Sequence, residues 1–192
     1  MEVDIDELDS AYRLLAGSVV PRPIAWVSSR SPEGRDNLAP YSFFNVVAVD
    51  PPVVMFAPVG TGDDLKDTPR NVLETEEFVV NVVTMELAEA MNATSATVEE
   101  NEFDHAELDR AESVRIAPPR VADAAVAFEC KLYDFVEIGG SSMVLGEVVY
   151  AHVADDVTTG GKVDVTKLDA VGRLSGSYYA STRDRFSMER PP

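Results

Sequence analysis

Residues 21–45, PRPIAWVSSRSPEGRDNLAPYSFFN, constrain the fold of this chain more than any other stretch. The apolar run Ile24, Ala25, Trp26 and Val27 predicts a strand, residues 28–37 with the breakers Pro32 and Gly34 predict a turn, and a returning segment ends in Ser42, Phe43, Phe44 and Asn45. Strand, turn and returning strand make a β-hairpin. Successive strand side chains face opposite ways, so at most one of Phe43 and Phe44 can enter a core on one face. The backbone polar groups of that arm, with Ser42 and Asn45, can hydrogen-bond the edge of a flat heteroaromatic ligand. An ordinary hairpin with aromatics buried on both faces fits the same residues.

Downstream the pattern stays β. Residues 50–58, DPPVVMFAP, predict a short strand whose ends are marked by Pro51, Pro52 and Pro58, because a central ladder does not tolerate proline. Residues 77–83, EFVVNVV, are apolar enough for a strand buried on both faces. Regular alternation then predicts one strand from Val126 to Phe135 and another from Ser142 to Val153, joined through Gly139 and Gly140. Helices are few. One is expected within residues 4–15, with Leu8, Tyr12 and Leu15 on one face, and a third region follows Thr84, with Leu87 and Met91 one turn apart. Between them KDTPRN predicts a helix opening at Pro69 behind a Thr68 cap. Residues 99–115 look acidic and irregular, anchored by Phe103 and Leu108. Short strands with close turn signals predict one domain over residues 1–192, core about 12–182, mainly β with helical additions and closed as a barrel. Neither GxGxxG nor a P-loop is present, which argues against Rossmann or Walker nucleotide binding.

Charge narrows the partners. The chain has 34 acidic and 16 basic residues and a net charge of −18, a field that repels nucleic acid and anionic membranes. The acids are spread along the chain, and Lys66, Lys131, Lys162 and Lys167 are the only lysines, a halophile-like balance in which salt screens the self-repulsion. The single cysteine, Cys130, shares a strand face with Val126, Phe128 and Leu132, so it is a buried structural thiol with no disulfide partner. MEVDIDELDS is not a signal peptide and no apolar run reaches membrane-spanning length, so a cytoplasmic protein is expected. His105 lies alone among acids and His152 ends a strand; the first is read as solvated surface and the second as exposed or satisfied, with no metal site and no catalytic acid or base.

The helix start at residues 66–71 is different. It offers unpaired N–H groups and a partial positive charge, and Lys66 and Arg70 stand beside it in a chain short of cations, which suits a phosphate. Asp67 opposes an anion there unless its carboxylate is turned away to hold the loop or cap the helix. A capped surface helix with no ligand is the other reading.

The wording PRPIAWVSSRSPEGRDNLAPYSFFN, followed by DPPVVMF, KDTPRN and DAVGRLSGSYYAST, closely resembles the flavin reductase-like family of FMN-binding split β-barrels. The resemblance runs from about Tyr12 through the C-terminal segment. It implies an FMN cofactor whose phosphate meets Lys66, Asp67 and Thr68, and whose isoalloxazine edge meets Ser28, Ser29 and the backbone of Ser42, Phe43, Phe44 and Asn45. With one ring face open, a nicotinamide from NADH or NADPH can stack and pass hydride to flavin N5 without a protein acid or base. The resemblance therefore implies an NAD(P)H-dependent oxidoreductase of the flavin reductase type, acting on flavin and nicotinamide nucleotide and assembled as a homodimer. One departure matters. Dedicated flavin reductases resemble one another in a Gly-Asp-His pattern, whereas here the matching stretch, from Gly139 to Gly146, is GGSSMVLG and lacks the histidine. That places the chain nearer a flavoredoxin-like branch, and makes an FMN-holding electron carrier the alternative. Residues 91–96, MNATSA, are similar to family wording and are read mainly as packing, while Tyr178 and Tyr179 resemble a motif near the flavin or the subunit contact.

Overall fold

Seven antiparallel strands make the central sheet of the computed structural model, which describes residues 2–98 and 100–191. They are β1 (Ala25–Arg30), β2 (Asp36–Tyr41), β3 (Phe44–Val49), β4 (Pro52–Phe56), β5 (Glu77–Val82), β6 (Val126–Ile138) and β7 (Ser141–Val153). Their order is β2-β1-β5-β6-β7-β4-β3, so the two edge strands are consecutive in sequence. Only Ser42 and Phe43 separate them, and the Tyr41 ring of β2 lies 4.9 Å from the Phe56 ring of β4 across the gap. The sheet thus curls into a barrel, mainly β with helical additions, as the strand spacing predicts, and the barrel is split, as the family resemblance implies.

The first hairpin differs from the expected one at both ends. Its turn is shorter, because Ser28, Ser29 and Arg30 continue β1, paired with β2 from Ser28 opposite Leu38 to Arg30 opposite Asp36. Polar residues are stable inside this strand because each serine hydroxyl finds a buried partner. Its returning arm ends at Tyr41 rather than Asn45, since Phe44 opens β3 and pairs with Phe56 of β4. Phe44 packs against the core while Phe43 is exposed, the one-in, one-out arrangement that strand alternation requires.

Alternation along β1 divides the apolar residues into two clusters. Ala25 and Val27 point into the barrel with Phe56, Phe78, Val80 and Val144, and the helix at Asp67–Thr75 contributes Val72. Ile24 and Trp26 point outward beneath Val83, Leu87, Met91 and Phe103. Burying each of these large side chains contributes about 1.5–3 kcal/mol. Gly146 sits where β7 shifts register, and a Cβ there would lie 2.2 Å from Phe78 Cζ, so only glycine fits against that ring.

The N-terminal helix is broken rather than continuous. A 3-10 turn at Ile5–Glu7, capped by Asp4, gives way to extended backbone at Leu8, and helix α1 is Tyr12–Ser18. Leu8, Tyr12 and Leu15 stay exposed; Ala16 is the buried residue of α1. The last carbonyls of α1 are met by Arg22, which donates to Ala16 O (2.6 Å), Val19 O (2.7 Å) and Leu174 O (2.9 Å). Helix α2 (Asp67–Thr75) closes one side of the barrel; α3 (Ala88–Ala93) and α4 (Glu102–His105) cover the outer cluster. Phe103 and Leu108 anchor the acidic segment, as expected; Glu99 lies outside the described residues. A small sheet joins Arg22–Pro23 to β8 (Val171–Arg173) and β9 (Tyr179–Ser181). Among the described residues no helix is long and apolar enough to cross a membrane.

Candidate functional site

Helix α2 begins two residues earlier than Thr68 and Pro69 predict. Lys66 is its N-cap, in extended conformation, and no side chain caps the helix start. Pro69 is tolerated in the first turn because its missing N–H would have no intrahelical partner there. Asp67 is turned outward toward Arg70 (3.5 Å), and Arg70 also donates to Leu65 O (2.6 Å). Lys66 has neither an ion-pair nor a side-chain hydrogen-bond partner among the described residues, which leaves a free cation beside uncapped N–H groups. Thr68 is buried, and its hydroxyl accepts from Asn37 Nδ2 at 2.7 Å.

The platform beneath Lys66 is fixed by the β6–β7 hairpin. Gly60 N donates to Gly140 O (3.0 Å), Ser142 N to Pro58 O (3.0 Å) and Gly62 N to Glu137 Oε1 (2.9 Å). Ser142 Oγ adds a bond to Gly60 O at 2.8 Å.

From this platform a cavity of about 390 Å³ runs along β2, lined by Lys66, Thr68, Tyr41, Pro40, Ser95 and Glu102 among others. A second cavity, of about 290 Å³, continues from the same Pro40 and Ser95 to Ser42, Asn92, Arg173 and Tyr179. The two form one groove between β2 and the residues after α3. Burial pushes the Tyr41 phenol up to about 12, so it stays protonated and brings no charge to the groove. A larger cavity of about 480 Å³ lies on the other side of Asn37 and Asp67, where Asp36, Glu100 and Asp104 make its wall acidic and unsuited to a phosphate.

The residues singled out in the sequence fall into three places. Ser42, Lys66, Asp67 and Thr68 are brought together along the groove. Ser28 and Ser29 lie beneath it, fully buried: Ser28 donates to Pro119 O, and Ser29 accepts from Asn71 Nδ2 at 3.1 Å. Phe43, Phe44 and Asn45 lie past its end, with Phe43 under the Arg22 guanidinium (5.7 Å) and Asn45 Oδ1 accepting from Val46 N (2.8 Å). The MNATSA stretch does both jobs. Met91 and Thr94 are buried, Thr94 accepting from Trp26 Nε1 at 2.9 Å, while Asn92 and Ser95 line the groove. Their three-residue spacing is the signal that packing alone overlooks, and Met91 borders the same cavity. Arg173 and residues 96–98 carry no such signal.

Outside the groove, Burial pushes the Cys130 thiol up, as a structural cysteine requires. His152 donates or accepts against Glu129 Oε1 (2.7 Å), and His105 does so against Glu100 Oε1 (2.8 Å). Neither histidine lines the groove.

The fold is the split barrel of solved flavin reductase-like structures. Residues 16–167 match the flavin reductase like domain, and the chain belongs to that family. It is a flavin-related oxidoreductase. Nitrilotriacetate monooxygenase component B from Bacillus cereus superposes with a TM-score of 0.94 at 34% identity, covering 98% of each chain. Pseudomonas fluorescens 2-nitrobenzoate 2-nitroreductase gives 0.93 at 36% identity, over 100% of this chain and 96% of that one. Flavoredoxin of Desulfovibrio vulgaris shares the fold, with a TM-score of 0.79 at 18% identity over 98% and 97% of the two chains.

Proposed function

We propose that the protein holds FMN along the groove and acts as an NAD(P)H-dependent oxidoreductase of the flavin reductase type. The observation that carries this reading is the continuity of the groove from the free ammonium of Lys66 to Ser42. FMN, when bound, supplies the hydride and electron chemistry. Lys66 and the first N–H groups of α2 hold the phosphate, and Asp67 is kept off it by Arg70. Asn37 fixes the Thr68 hydroxyl at the same end. The main chain from Pro40 to Ser42 meets the ring edge. Ser28 and Ser29 line neither cavity and support the strand from inside, bonded to the Pro119 carbonyl and Asn71, and residues 43–45 lie outside the groove lining. No histidine lines the groove and Tyr41 keeps its proton, and hydride exchange between nicotinamide and flavin needs no protein acid or base.

The edge strand β3 exposes Val46, Val47 and Val49, an apolar edge that a second copy of the chain would cover in a homodimer. Equilibrium sedimentation tests this directly, and a monomer at all concentrations removes it.

The decisive experiment is titration of FMN and riboflavin into the protein, followed by the visible spectrum and by NADH and NADPH oxidation. FMN is expected to bind more tightly than riboflavin, and Lys66→Ala to weaken FMN about ten- to hundredfold while leaving riboflavin unchanged. Equal affinity of the two flavins in the unaltered protein would remove the phosphate anchor. The missing histidine between Gly139 and Gly146 favours a second reading, an FMN-holding electron carrier. That protein would be yellow yet inert to both nicotinamide nucleotides.

A further inference from the structure

At the end of the groove away from Lys66, Arg173 stands without an acid. Arg70, in the adjoining cavity, pairs with Asp67, whereas Arg173, like several other arginines, has no carboxylate partner among the described residues. Its Nη1 donates to Tyr179 Oη and its Nη2 to Gly176 O (2.5 Å), and the guanidinium lies 4.5 Å from the centre of the Tyr179 ring. These contacts hold the side chain in place yet consume only part of its five N–H donors. The cavity it faces, about 290 Å³, is otherwise lined by neutral groups, among them Tyr12, Pro40, Met91 and Ser95. In a chain of net charge −18, this is a cavity with one positive charge and no negative one.

We infer that this cavity binds a planar ring bearing a carboxylate or phosphate, with Arg173 selecting the anion. A guanidinium fork matches either group bidentately, and Tyr12, Tyr179 and Met91 supply flat, polarisable walls for a ring. The volume sits at the bottom of the range of ligand pockets, about 300–1,000 Å³, which suits one substituted ring rather than a whole dinucleotide. The anion comes either from an aryl carboxylate or from the phosphate beside a nicotinamide. Calling the occupant the flavin's redox partner rests on the proposed function; the preference for an anion does not.

The test is calorimetric titration of the protein, with FMN and after its removal, using two pairs of probes: benzoate against benzamide, and nicotinamide mononucleotide against nicotinamide riboside. At least one anion is expected to bind about ten- to hundredfold more tightly than its neutral counterpart. Arg173→Gln should abolish that ratio and Arg173→Lys keep part of it. Preference in the first pair identifies an aryl acid, and preference in the second a nucleotide. The comparison in the unaltered protein stands even where a variant does not fold. Equal binding within both pairs, no measurable binding of either anion, or a ratio that survives in Arg173→Gln overturns the inference. So does a variant in which FMN loses its advantage over riboflavin, because Arg173 would then hold the flavin's own phosphate. If FMN fails to bind while the anion preference persists, the proposed function falls and this inference stands.

Discussion

Neighbouring residues of β1, Trp26 and Val27, face environments built on different terms. Val27 enters a barrel interior of Phe56, Phe78, Val80 and Val144, held by shape and apolar contact; the Phe56 and Phe78 rings meet edge to face at 5.4 Å. Trp26 faces an outer layer stitched by single polar bonds. Its indole donates to Thr94, Asn81 Nδ2 donates to Trp26 O (3.0 Å), and Asn81 Oδ1 accepts from Val121 N (2.9 Å). A close-packed interior tolerates no added volume, whereas each outer bond can be removed at modest cost. Stability is therefore concentrated inside the barrel, and the groove is lined by the layer that can change without unfolding it.

The sharpest way to break this contrast is Gly146→Ala. The new Cβ would meet the fully buried Phe78 ring, and the expected loss is about 3 kcal/mol, or a Tm lower by about 6–12 °C in calorimetry. A loss below about 1 kcal/mol would mean the interior is looser than its packing implies.

Glu129 tests the polar seam between the two regions. It is fully buried on β6 and accepts from Val114 N (2.7 Å), Arg115 N (2.7 Å) and His152 Nε2 (2.7 Å). Burial alone raises the carboxyl, but the Val114 amide, His152 and the Arg115 amide outweigh it and leave its pKa lowered. A depressed folded-state pKa contributes stability that is complete above the ordinary glutamate value, about 4.3, and lost as pH falls below it. Glu129→Gln should cost about 2 kcal/mol near neutral pH and flatten the acid limb of the stability curve. An unchanged acid limb would assign that limb to other carboxylates.

Thr94→Val should cost about 1–2 kcal/mol by orphaning the Trp26 indole N–H, measured by urea unfolding. Because it shares no partner with Gly146→Ala, the two losses should add within about 0.5 kcal/mol. The smallest effect expected is a rise in Tm with added salt, from screening of the net charge of −18; a flat response would remove the halophile-like reading.

Much of the barrel was legible because alternation is local. The strands β6 and β7, their Gly139-Gly140 turn and the doubly buried β5 all follow from side-chain period. Errors arose where a distant partner decides. Ser28 and Ser29 look like turn residues until Pro119 and Asn71 are brought to them by the fold. The N-terminal helix pattern at Leu8, Tyr12 and Leu15 is real in spacing, but no neighbour buries that face, and the chain breaks at Leu8. The Lys66 end of the groove was visible as a cation beside a helix start. Its other end was visible only in part: Ser42 and Tyr179 stand out in the sequence, whereas Tyr12, Asn92 and Arg173 come from three remote segments and meet only in the folded chain.

The tip of the β6–β7 hairpin, bonded at Gly140 and Ser142 to the strand exit before Lys66, acts as a splint. Because the hydrogen bonds of this segment are set when the barrel forms, the lysine's position is fixed before any ligand arrives. On the proposed reading, with an anion docked there, the entropy of ordering that loop is met in folding and is not subtracted from affinity.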